Sequence, residues 1–158
     1  PLNSADIFEF ENMGYEISYF DDYAVVMVNG RKTDRFFKHI NPLDPENFYD
    51  KNLYAGALDE LSVFLEKYPS IKGYLMLAEI YGDNSPDDKL VFLEDVVEIN
   101  ADSRLIKELG KTYAEAGEYE AAAAVLGKIM LFDGEAREIM KIVRKKERME
   151  NAPEEEDL

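Results

Sequence analysis

A leucine, a small residue, two intervening positions and a tyrosine occur twice in this 158-residue chain, 32 residues apart: Leu77-Ala78 with Tyr81, and Leu109-Gly110 with Tyr113. This spacing constrains the fold more than any composition does, because one helical hairpin cannot bury its apolar face alone and needs a similar unit beside it. A small residue beside a bulky one gives a neighbouring helix room for close approach. In "LGKTYAEAGEYEAAAAVL" (109–126), Gly117 ends a first helix and Tyr119 opens a second. On that second helix Ala122 and Leu126 lie four apart, on one face.

The surrounding chain is punctuated to match. "NPLDPEN" (41–47) marks a boundary, with Asp44 expected to cap a helix and Pro45 to sit in its first turn. From there to about Glu150 the chain reads as helical, with Leu58, Leu61, Phe64 and Leu65 at three- and four-residue steps. "YPS" (68–70), "GDNSPDD" (82–88), "NADS" (100–103), "EAGE" (115–118) and "FDG" (132–134) divide it into short helices.

This pattern resembles the tetratricopeptide repeat, a helix-turn-helix unit of about 34 residues with W-x2-L-G-x2-Y, then A-x3-F, then P. Residues 103–136 carry it best: Ile106 stands at the Trp position, Leu109, Gly110 and Tyr113 match, Ala122 precedes Leu126, and Gly134 replaces the closing Pro. Residues 71–102 supply Tyr74, Leu77, Ala78 and Tyr81, but their second helix lacks the alanine and reads as shorter by about two residues. A half-unit precedes them (Ala57, Leu61, Pro69), and 137–149 reads as a capping first helix. The resemblance spans about 52–149. It implies a concave groove that binds a peptide or partner protein.

The first 40 residues differ in kind. "YEISYF" (15–20) and "YAVVMV" (23–28) are aromatic and β-branched runs parted by Asp21 and Asp22. Asn29-Gly30 offers a two-residue turn into a returning strand, "RKTDRFF", and "IFEFE" (7–11) reads as a strand or a short helix. The expected fold class is therefore α+β, mostly α: a small antiparallel β element (1–40), a helical-hairpin array (41–149) and a disordered acidic tail (150–158).

Charge separates the possible ligands. The net charge is −16, and an acidic chain of this kind is a poor nucleic-acid binder. Residues 103–149 nevertheless hold ten bases against eight acids. If Leu109, Gly110 and Tyr113 pack inward, Arg104, Lys107 and Lys111 form a stripe on the other face, joined by Lys72 upstream and by Lys141, Lys145 and Arg148 downstream. Such a stripe selects an acidic protein segment; the opposing reading is a solvated helix face. The tail "PEEEDL" is a tethered competitor for it.

Chemistry is thinly supported. Zero cysteines remove disulfides and thiolate sites, and His39, the sole histidine, reads as a surface or capping residue. "GDNSPDD" lacks the alternation of a calcium loop, and no phosphate-binding or nucleophile motif occurs. No catalytic residue, metal site or cofactor is expected. The N-terminal aromatics Phe8, Phe10, Tyr15, Tyr19, Phe20 and Tyr23 read as core rather than as a stacking platform. No apolar run is long enough for a membrane span, and the expected location is cytoplasmic. The leading expectation is a non-enzymatic interaction module. The alternatives are an accessory or regulatory domain excised from a larger enzyme, since the chain starts at Pro1 without methionine, and a homo-oligomeric assembly piece whose end repeats allow self-association.

Overall fold

The computed structural model describes Glu9 and residues 13–29, 37–44 and 47–150. Strands β1 (Tyr15–Phe20) and β2 (Val25–Asn29) form an antiparallel pair. A 3-10 turn (Lys51–Leu53) leads into six helices: α1 (Tyr54–Lys67), α2 (Ile71–Asn84), α3 (Pro86–Ile99), α4 (Ser103–Glu115), α5 (Tyr119–Gly127) and α6 (Gly134–Glu150). The class is α+β and mostly α, as expected. Among the described residues, no helix is long and apolar enough to cross a membrane. The chain divides into two compact units, Pro1–Ile80 and Tyr81–Leu158. The division falls inside α2 rather than after residue 40, because the β hairpin shares an aromatic core with α1.

In the first unit, Phe20 is fully buried and stacks on Phe64 of α1 at 4.8 Å between centroids, with Phe37 at 5.0 Å from Phe64. Aromatic surfaces of this size dominate the energetics of a small core. Tyr19 packs edge-on against Tyr68, whereas Tyr23 lies almost wholly in solvent. The hairpin turn is set by Asp21, whose carboxylate accepts from the Tyr23 and Ala24 amides and from the Tyr19 hydroxyl. Hence β2 starts at Val25, two residues later than the aromatic run. Asp22 then reaches across the unit to accept from the Ile71 and Lys72 amides, both at 3.0 Å, capping α2 from 49 residues away. Gly73 lets α2 approach α1: a Cβ there would lie 2.5 Å from Leu65 Cδ2.

Two expectations about this region need correction. Asp44 accepts from the Asn47 amide in a local turn instead of capping a helix, and Ile40 bridges Tyr49, so among the described residues after Phe37 helical structure starts at Lys51. The extended pairing takes up the backbone groups a helix would need. The Asn29-Gly30 turn with its returning strand, and the tail after Glu150, lie outside the described residues. So does "IFEFE" apart from Glu9, which is helical.

The second unit is built by local signals. Ser85 caps α3 through the Asp88 amide, Pro86 opens it, and Asp87 and Asp88 fill its first turn. Asp102 caps α4, Gly117 at φ +81° ends that helix, and Asp133 caps α6 through the Ala136 amide at 3.0 Å. The core gathers Ile106, Ala122, Leu126, Met140 and Val143. Leu109 is buried as well. A Cβ on Gly110 would stand 2.6 Å from Leu126 Cγ, so the glycine is what lets α4 and α5 touch. The expected shortening of the second helix in 71–102 is overturned. That helix, α3, has 14 residues, while α5 has nine. The deficit sits in the connection: Ser85 alone links α2 to α3, whereas Ala116, Gly117 and Glu118 link α4 to α5. "GDNSPDD" is therefore mostly helix, with its turn reduced to one residue.

Candidate interaction surface

The cations expected on one stripe fall into three settings. On α4, Lys107 points into the second unit. Its ammonium lies 2.6 Å from Glu135 Oε2 and 3.2 Å from Asp133 Oδ2, with only 14% of the side chain exposed. The hydrogen bond to Glu135 raises the Lys107 pKa, and the same contact lowers that of Glu135. Asp133 is lowered first by the Ala136 amide and then by Lys107. Lys111 stands 3.8 Å from Glu135, and Arg104 pairs with Asp102 at 3.0 Å, lowering that carboxyl in turn. Lys107 and Lys111 thus converge on the first turn of α6, and their charge is largely answered from within.

Lys72 belongs to the first unit. Its ammonium lies 5.5 Å from the centre of the Phe20 ring, and partial burial lowers its pKa against the opposing pull of Asp22. Packing accounts for its position without a ligand.

The third setting is α6. Ala136, Met140 and Val143 are buried along one face. Lys141, Lys145 and Arg148 lie exposed on another, and together with Arg144 and Met149 they line a shallow cleft. At 3.6 residues per turn, Arg137 and Arg144 fall on the same row, four before and three after Lys141. Both were missed by following only the 141–145–148 progression, although their spacing was equally visible. Lys141 pairs with Glu138 at 2.7 Å, an exposed contact of little energetic weight. Arg137, Arg144, Lys145 and Arg148 make no ion pair among the described residues.

The repeat residues occupy structural positions. Leu77, Ala78, Leu109, Gly110, Ala122 and Leu126 are buried. The Tyr81 ring lies 5.1 Å from that of Phe92, and the Tyr113 hydroxyl donates to Glu94, which pushes its pKa up to about 12. His39 covers Gly56, where a Cβ would stand 2.9 Å from the imidazole, and its backbone N–H donates to Glu60. Among the described residues no cluster of three or more metal-binding side chains occurs. With this geometry established, comparison with protein families, curated proteins and solved structures returns no match to the chain.

Proposed function

We propose that the chain is a non-enzymatic protein-interaction module of the tetratricopeptide type, working in the cytoplasm, that captures an acidic segment of a partner protein. The observation that carries this reading is the row Arg137, Lys141, Arg144, Lys145 and Arg148: five cations within twelve residues of a folded helix, four of them without an ion pair among the described residues. Guanidinium groups favour carboxylates because their forked donors bind two oxygens at once. The resemblance of 103–136 to the repeat, including Gly110 beneath Leu126 and Gly117 at the turn, supports a scaffold role. Lys107 and Lys111 serve in this reading as internal fasteners that orient α6, and the ligand contacts fall to the α6 row.

Fluorescence anisotropy tests the proposal directly. A labelled peptide rich in Glu and Asp should bind, and its Gln/Asn counterpart should not. Arg144→Glu combined with Arg148→Glu should weaken binding by at least about tenfold, roughly 1.4 kcal/mol. Unchanged binding in that double variant, with an intact circular dichroism spectrum, defeats the proposal.

A further inference from the structure

The row just described leaves a third face of α6 without an assignment. Beside the row, Ile142 is 58% exposed and Met149, seven residues on, is 68% exposed. Glu135, Glu138, Ile142, Lys146 and Met149 follow one another at steps of three, four, four and three, so all five share one helix face and stand symmetrically about Ile142. The buried residues Ala136, Met140 and Val143 lie off this face. Charge along it is polarised, with Glu135 and Glu138 before Ile142 and Lys146 after it.

We infer that α6 docks against α6 of a second copy of this chain, antiparallel and centred on Ile142. In a two-fold pairing each residue before Ile142 faces the residue equally far beyond it. Glu138 then meets Lys146 of the second copy, and Glu135 meets the apolar side chain of Met149. Each contact is made twice, as a two-fold interface requires. A parallel pairing sets Glu138 on Glu138 and Lys146 on Lys146, so like-charge repulsion selects the antiparallel arrangement. Glu138 gives up only its exposed contact with Lys141, which is a weak one. Two apolar residues per copy make a weak, concentration-dependent dimer. The inference does not rest on capture of an acidic segment, because Arg137, Lys141, Arg144, Lys145 and Arg148 lie along a different stripe, and Met149 borders both.

Sedimentation equilibrium of the full chain over a wide concentration range reads out the dimer. Ile142→Asp should leave a monomer that still binds the acidic peptide, which separates the two faces. Glu138→Lys and Lys146→Glu should each weaken dimerisation about tenfold, and the two together should restore it, because reversal of both charges recreates the pair. The chain has no cysteine, so a single introduced thiol reports proximity without background. Under mild oxidation Ile142→Cys should cross-link to a dimer well ahead of Glu120→Cys, an exposed control on α5. This second readout tolerates any loss of helicity in Ile142→Asp. A monomer at every concentration, equal cross-linking at both thiols, or a double charge reversal no better than either single one overturns the inference.

Discussion

At the level of single residues, the small side chains of the repeat have separable roles. Gly110 and Gly127 both lie in helices, yet only Gly110 has a neighbour where a Cβ would go. Alanine generally favours a helix over glycine by up to about 1 kcal/mol. At Gly127 that gain is unopposed, and Gly127→Ala should raise the denaturant midpoint slightly. At Gly110 the methyl group meets the buried Leu126 at 2.6 Å, and Gly110→Ala should lower stability by about 1 kcal/mol net, with partial rescue by Leu126→Val. The four alanines divide in the same way. Ala122 is wholly buried and Ala124 exposed, so Ala122→Phe should cost about 3 kcal/mol or more, while Ala124→Glu should stay within about 0.5 kcal/mol. These distinctions were legible in the chain, since each depends on helical spacing of three and four residues. What spacing could not show is which cation on the same helix turns inward. Lys107 and Lys111 look alike in sequence, but only Lys107 meets Asp133 as well as Glu135.

At the level of elements, that difference makes a latch between α4 and the start of α6. Asp133 caps α6 and, through Lys107, also ties it to α4. Both Asp133 and Glu135 are held below their ordinary carboxylate range in the folded chain. Their stabilising effect is complete above that range, and it fades as pH falls through the depressed values. Lys107 is raised, so its effect is complete below the ordinary lysine pKa and fades as pH rises through the higher one. Lys107→Met should therefore lower the thermal midpoint by a few degrees at neutral pH. The gap from wild type should narrow below about pH 4 and again above about pH 10.5. Part of the acid sensitivity should persist in the variant, because the Ala136 amide is the leading cause at Asp133. A gap that stays constant with pH shows that Lys107 acts by packing alone. Helix ends governed by neighbours, such as Ser85, Asp102 and Gly117, could be read ahead. The cap on α2 could not, because Asp22 lies 49 residues from Ile71 and only tertiary folding joins them.

At the level of the whole molecule, the same limit explains where the first compact unit ends. The hairpin and the first helices differ in composition, which suggested a boundary near residue 40, yet Phe20 and Phe64 share one core. Composition shows what a segment is made of, and contact decides what it belongs to. Charge raises a related question of range. The molecule carries −16 overall, while the α6 row is locally positive, so an approaching acidic peptide meets opposing fields. Ionic strength decides which field it feels. At about 0.01 M salt the Debye length is about 30 Å, and the net negative charge acts over the whole approach. At about 0.15 M it shrinks to about 8 Å, leaving the cations of α6 dominant at close range. The association rate for an acidic peptide should accordingly rise from about 0.01 M to about 0.15 M salt and fall again towards about 1 M, where the row itself is screened. Stopped-flow anisotropy across this series gives the profile, and Arg144→Glu with Arg148→Glu should suppress the rate throughout. A rate that only falls from the lowest salt upward excludes this balance, because the row would then outweigh the net charge at every distance.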